Sequence, residues 1–387
     1  MNNFYCYNPT KIIFGKDMIA RMPNELNGIE RILLLYGSGS IKQNGVYDQV
    51  IKALAGKTVI EFAGIEPNPE YETCRAAIRL AREKGVDFVL AVGGGSVIDA
   101  AKFIALAAHF EGDEPWQIIT RAAQPPARTL PLGCVQTLPA SGSEMNNAFV
   151  LSRRAQCAKL GFFHMALYPR FSILDPQATF TLSKQQTALG MVDMFVHVLE
   201  QYITYPSASP LQARQAEAIL AAVAETAEPL LNDLNNYDLR ATIMWCGTQA
   251  VNGLINRGVP TDWATHAIGH ELTALYDLPH AQTLALVLGG TYRHQLANKQ
   301  ACLAQYGRRV WQLTGSDEQV AAAAIAATEA FFERLGVATR LSAVGLKGEE
   351  VAEAVCAKFA AAGNFQNLGE RQAIDLDAVG EILRMQA

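Results

Sequence analysis

Asp87-Phe88-Val89-Leu90-Ala91-Val92-Gly93-Gly94-Gly95-Ser96-Val97-Ile98-Asp99 sets the architecture of this chain. Its first six residues are almost all apolar, as in a strand buried on both faces of a parallel sheet. Three glycines then turn the chain into a helix that runs to about Phe110. Backbone N–H groups at such a helix start, with no Cβ in the way, approach a pyrophosphate closely. The same residues suit a plain strand-to-helix turn, with Ser96 as N-cap and Asp99 completing a variant capping box. A capped helix start is what a phosphate binds, so the two readings coexist.

The pattern repeats outward from this unit. Arg31–Tyr36 is a second buried strand, ending in Gly37-Ser38-Gly39-Ser40, and Lys57–Phe62 is a third, followed by Gly64-Ile-Glu-Pro-Asn-Pro69. A helix is expected over about Tyr71–Lys84, stopped by Gly85, and further strands at Leu130–Thr137, Phe149–Ser152, Leu160–Phe163 and Phe171–Leu174. After Asp175-Pro176 the character changes. From Ser183 onward the period is helical, punctuated by Pro206, Pro210, Pro229, Pro260 and Pro279. The expected organisation is therefore an α/β dinucleotide-binding domain over residues 1–180 and an all-helical domain over residues 181–387, with a cleft between them.

Gly37-Ser38-Gly39-Ser40-Ile41-Lys42 nearly matches a dinucleotide fingerprint, but Lys42 stands at the third glycine position. No Asp or Glu ends this strand to hold a ribose 2′-hydroxyl. Small hydroxyl residues and Lys42 tolerate a 2′-phosphate instead, which points to NADP over NAD. A kinase-like P-loop fails: Gly56-Lys57-Thr58 has the right ending, but Ile51 replaces the first glycine.

Composition narrows the classes. The 387 residues are 50% hydrophobic and 18% charged, with 32 basic against 37 acidic side chains, a net charge of 32 − 37 = −5. That is too apolar for disorder and too acidic for a nucleic-acid binder or a basic membrane-surface protein. No apolar run reaches the roughly 20 residues a bilayer requires, and Met1-Asn2-Asn3-Phe4 does not open a secretory signal, so a cytoplasmic setting is expected. Seven cysteines, without any CxxC, read as reduced and mostly buried thiols.

Four of the seven histidines fall in one span. Asp193 and His197 are four apart on a helical stretch with mostly apolar neighbours, so they share a face and are buried. A buried Asp–His hydrogen bond would explain that pair alone. His266 and His270 repeat the spacing, and His280 follows Pro279. One carboxylate with two or three imidazoles makes a site for Zn²⁺ or Fe²⁺ with a coordination position left for substrate. A metalloprotease motif fails, because Ala274 stands where HExxH needs its second histidine. His109, His164 and His294 are given no role.

The ordered set of motifs resembles the iron-containing (group III) alcohol dehydrogenases, in particular their NADPH-dependent aldehyde reductase and butanol dehydrogenase branch. It comprises Pro9-Thr-Lys-Ile-Ile-Phe-Gly15, Tyr36-Gly-Ser-Gly-Ser40, Gly64-Ile-Glu-Pro-Asn-Pro69 and Gly93-Gly-Gly-Ser-x-x-Asp99-x-x-Lys102. Thr137-Leu-Pro-Ala-Ser-Gly-Ser-Glu144, Asp193-x-x-x-His197, His266-x-x-x-His270 and Pro279-His280 complete it. The resemblance implies a Rossmann-like N-terminal half and a helical C-terminal half, the dehydroquinate synthase-like architecture. It implies one divalent metal on Asp193, His197, His266 and His280, with His270 beside it near the nicotinamide or in a proton relay. Gly94, Gly95 and Ser96 match the pyrophosphate turn, and Asn68, Asp99, Thr137, Ser141 and Lys159 match residues lining the cofactor cleft. Gly37, Ser38, Gly39 and Ser40 match the loop that admits a 2′-phosphate. There are two departures: Ala281 where glycine is common, and Ser141 where threonine is.

The expected function is metal-dependent, NADPH-linked, reversible reduction of small aldehydes to primary alcohols by a homodimer, with Phe149 and Trp263 in the pocket wall. A glycerol-dehydrogenase-like polyol oxidoreductase would suit NAD and an acidic residue after Tyr36. A dehydroquinate-synthase-like lyase would need several Lys and Arg around the ligands, where only Arg257 is found.

Overall fold

Strand β4 (Phe88–Gly94) carries its apolar run through the interior of a six-stranded, all-parallel sheet. The other members are β1 (Lys11–Phe14), β2 (Arg31–Tyr36), β3 (Thr58–Phe62), β5 (Leu132–Leu138) and β8 (Phe171–Leu174), in the order β1-β8-β5-β4-β2-β3. The computed structural model describes residues 1–363 and 365–387. Leu33, Leu35, Val89 and Ala91 enter the core on one face of the sheet, while Ile32, Leu34, Phe88, Leu90 and Val92 enter the core on the other. Burial on both faces is why these strands read as continuous apolar runs instead of alternating ones.

The sheet order reverses at β2–β4, since β3 lies beyond β2 and β5, β8 and β1 lie beyond β4. Tyr36 pairs with Val92, so the turns that begin at Gly37 and Gly93 leave neighbouring strands side by side at the carboxyl edge. That edge, at a switch in strand order, is where open α/β sheets bind ligands. The helices around the sheet are α1 (Val46–Ala53), α2 (Tyr71–Glu83), α3 (Gly95–Ala107) and the single turn α4 (Trp116–Ile119).

The runs near 149 and 160 are strands, as expected: β6 (Ala148–Arg153) and β7 (Ala158–Phe163) form a separate antiparallel hairpin outside the six-stranded sheet. Two other expectations are corrected. Ser96 is not an N-cap, because α3 already begins at Gly95 and Gly94 holds the cap position without a side-chain bond. Asp99 is correspondingly free of capping: its carboxylate accepts from the Ser143 hydroxyl at 2.6 Å and from the Val150 amide at 2.9 Å. Phe149, expected in the pocket wall, is a core residue. It is 1% exposed and packs with Phe103 and Phe162, ring centroids 5.7 Å away in each case.

The helical elements are α5 (Lys184–Tyr202), α6 (Pro210–Asn232), α7 (Tyr237–Ala250), α8 (Ala264–Tyr276), α9 (His280–His294), α10 (Leu296–Val310), α11 (Asp317–Arg334), α12 (Gly348–Ala361) and α13 (Leu376–Arg384). Two compact units result: Tyr7–Ser183 with Leu234–Thr248, and Met1–Cys6 with Lys184–Asp233 and Gln249–Ala387. Most of α7 thus groups with the α/β residues. The Thr248 hydroxyl donates to the buried Glu144 carboxylate at 2.6 Å, and Trp245 meets Phe14 edge-on at 5.9 Å. In the helical unit, α5 is buried on nearly every side from Gly190 to Tyr202, the signature of a core helix. All seven cysteines are free thiols; Cys74, Cys134 and Cys246 are buried, while Cys6 and Cys157 are exposed. No helix is long and apolar enough to cross a membrane, among the described residues.

Candidate active site

Two clusters of the expected residues form, one in each unit. In the α/β unit, a Cβ on Gly94 would lie 3.0 Å from Leu138, and one on Gly95 would strike the Ser141 hydroxyl. A larger residue at either position would crowd Leu138 or Ser141, so glycine suits the start of α3 and leaves its backbone N–H groups uncovered by a Cβ. Thr137 sits beside this turn, on the stretch of β5 whose neighbours Gln136 and Leu138 pair with Gly93 and Gly94. Lys159, 6% exposed, donates from its ammonium to Asn68 Oδ1 at 2.9 Å, and Asn68 adopts the left-handed conformation that asparagine tolerates.

Lys102, from the quoted motif, is fully buried on α3 and spends its three protons on Ser143 Oγ (2.8 Å), Asn146 Oδ1 (2.8 Å) and the Ala148 carbonyl (2.7 Å). Together with Asp99 it clamps the glycine turn's helix to residues 143–150. Lys102→Met would strand these acceptors. We expect a loss of about 3 kcal/mol in unfolding free energy, read by urea denaturation of the cofactor-free protein.

Gly37, Ser38, Gly39 and Ser40 follow β2, and both serines are exposed. Sequence reading missed Glu61. Lying on β3, its carboxylate accepts from the Tyr36 phenol at 2.8 Å and the Tyr47 phenol at 2.6 Å, and Lys42 stands 3.5 Å away over both rings. These phenols and Lys42 hold the Glu61 carboxyl below its usual range, Tyr47 foremost.

In the helical unit, Asp193, His197, His266 and His280 converge from α5, α8 and α9, each offering one ligand atom within 4.8 Å of the others. Asp193 Oδ1 is 3.5 Å from His197 Nδ1 and 3.8 Å from His280 Nε2. The edge of a tetrahedral site with ~2.1 Å bonds is roughly 3.4 Å, so these spacings need little contraction to hold one ion. Asp193 and His197 are 5% and 8% exposed, yet Asp193 Oδ1 and His197 Nδ1 make no hydrogen bond among the described residues. The simple Asp–His hydrogen bond is thus not made, and a divalent cation fits the donor set. Burial, ahead of every other influence, pushes the His197 imidazole below its ordinary value, which favours the neutral, ligating form.

His270 lies against this cluster, ring centroids 5.2 Å from His280 and 6.2 Å from His266. Trp263, in a left-handed backbone conformation at the start of α8, stacks edge-on 5.3 Å from His266. The residue sequence reading missed here is Glu200, fully buried on α5, whose carboxylate contacts His266 Nδ1. His164 accepts from the Ala166 amide, and His294 pairs with Glu381 at 3.2 Å, so neither joins the site.

The family model described as iron-containing alcohol dehydrogenase matches residues 9–176, and its C-terminal counterpart matches residues 187–386. The chain belongs to the iron-containing alcohol dehydrogenase family. It is 49% identical to the NADPH-dependent aldehyde reductase YqhD of Escherichia coli, over 97% of each chain. A crystal structure of E. coli K-12 YqhD superimposes with a TM-score of 0.97 over 100% of this chain and 99% of that one, at 48% identity. The NADH-dependent butanol dehydrogenase A of Thermotoga maritima gives 0.93 over 100% and 99%, at 34% identity. Both motif clusters therefore occur in one chain that matches nearly the whole length of these relatives, and the fold is that of the family's solved structures.

Proposed function

We propose that this protein reduces small aldehydes reversibly to primary alcohols, using NADPH and one divalent ion, Zn²⁺ or Fe²⁺, held by Asp193, His197, His266 and His280. The observation that carries the reading is the convergence of those four ligand atoms, with two buried polar atoms left without hydrogen bonds. When bound, the ion supplies Lewis-acid polarisation of the aldehyde oxygen and the reduced nicotinamide supplies hydride. The protein's part is to orient both. Gly94, Gly95 and Ser96 present open backbone at the helix start for a pyrophosphate, with Asp99, Thr137, Ser141, Asn68 and Lys159 around it. His270 passes a proton to the alcohol oxygen, a role its position beside His280 allows.

The relatives' names divide between NADPH and NADH, so the cofactor must be argued from this chain. Support for NADPH lies after β2, where Gly37, Ser38, Gly39 and Ser40 put no carboxylate against a 2′-phosphate. Glu61, the nearby acid on β3, is already engaged by two phenols and Lys42. The family resemblance also supports a homodimer, which sedimentation would test, and free thiols suit a cytoplasmic setting. The test of the function is direct: protein, NADPH and butanal are mixed and the reduced-nicotinamide absorbance followed. Loss of absorbance is expected, and a flat trace with metal-loaded protein would contradict the reading.

A further inference from the structure

We infer that Glu200 is a positioning residue of the metal centre, acting through His266; this rests on the metal reading above. Glu200 lies three residues beyond His197 on α5, on the same helix face, and is fully buried. One carboxylate oxygen contacts His266 Nδ1, and the other accepts the Thr265 amide at 2.7 Å. The Asp262 amide is tied to the Glu200 carbonyl at 2.9 Å, which fixes the backbone as well. A carboxylate at Nδ1 selects the tautomer protonated there. The lone pair then sits on Nε2, the nitrogen left to ligate.

Charge points the same way. Among the described residues no lysine or arginine pairs with Glu200. The buried Lys299 behind it is already taken by Asp262 at 2.6 Å and Glu370 at 2.8 Å. A fully buried carboxylate with no cation is unfavourable. The imidazole relieves this when an ion on Nε2 draws positive charge into the ring. The carboxylate in turn raises the ligand's basicity and holds its plane. Glu200 touches neither substrate nor metal, and its effect is on how tightly the ion is held.

A simpler role would be to cap α8 through Thr265. Glu200→Gln separates the two, since an amide oxygen still accepts from an N–H while the charge is gone. Metal-stripped wild type and variant are titrated with Zn²⁺ against a competing chelator, and urea midpoints of both apoproteins are recorded. The expected result is a Zn²⁺ affinity lower by about 10–100-fold, with the apoprotein midpoint unchanged or raised. An unchanged Zn²⁺ affinity, or a lowered apoprotein midpoint with unchanged affinity, overturns the role. If wild type itself binds no Zn²⁺, the metal reading falls with it, so the two failures are distinct. Should Glu200→Gln not fold, wild-type zinc protein labelled with ¹⁵N-histidine gives the answer from ring couplings. A proton on His266 Nδ1 supports the inference, and one on Nε2 overturns it.

Discussion

Replacing His280 with alanine is expected to reduce bound metal from about one ion per chain to a small fraction, and to lower aldehyde reduction at least ~1,000-fold. The factor follows from the Lewis-acid contribution: losing about 4 kcal/mol of stabilisation on the developing oxygen charge is three powers of ten in rate. His280 is the test position because it opens α9 and is more exposed than the other ligands, 25% at its side chain against 7% for Asp193. Its loss leaves the core of the helical unit, formed by residues such as Ile268, Leu272, Leu286 and Val379, in place. Metal content by atomic emission and thermal unfolding should therefore separate: the first collapses while the second moves little. A metal-free His280→Ala protein with full activity would refute the assignment.

The second large effect concerns the cofactor. NADPH is expected to exceed NADH in kcat/KM by a wide margin, ~100-fold or more, because a charged 2′-phosphate meets hydroxyls where NAD enzymes present an acid. Ser38→Asp puts a carboxylate just past the end of β2, at an exposed position, without touching the glycine turn of α3. It should cut kcat/KM for NADPH about 100-fold, through KM, and leave that for NADH equal or improved. Repulsion between a carboxylate and a dianionic phosphate sets the direction. Equal kcat/KM for the two cofactors in the wild type would show that residues 37–42 do not select the phosphate.

What the sequence made legible was what is local. The Asp87–Val92 run announced its own burial, and the i, i+4 spacing of Asp193 with His197 placed both on one face of a core helix. The parallel sheet and the helical second half followed. Other features depend on partners far along the chain. Residues 234–248 join the α/β unit through Thr248 and Glu144, 104 positions apart, a pairing no window of sequence contains. The two strands of the 148–163 hairpin were legible as strands but their pairing was not, because apolar content does not tell a parallel from an antiparallel neighbour. Phe149 was misjudged for the same reason: an aromatic near a motif is as readily core as wall.

The site divides likewise. Ligand residue types at helical spacing were visible, but Glu200 is one acidic residue among apolar ones, and its partner lies 66 positions away. Its signal was the cost of a carboxylate inside a core helix with no lysine or arginine within a turn. Glu61 escaped because the acid that matters for a ribose was sought at the end of β2, whereas this one reaches Tyr36 from the neighbouring strand.

On the proposed reading, one divalent ion held by an aspartate and three histidines is what enables aldehyde reduction. The most direct measurement is NADPH oxidation with butanal by protein stripped of metal with a chelator, then titrated with Zn²⁺ or Fe²⁺. No turnover is expected in the stripped protein, and recovery should saturate at one ion per chain. Undiminished turnover by protein shown to be metal-free would contradict that reading.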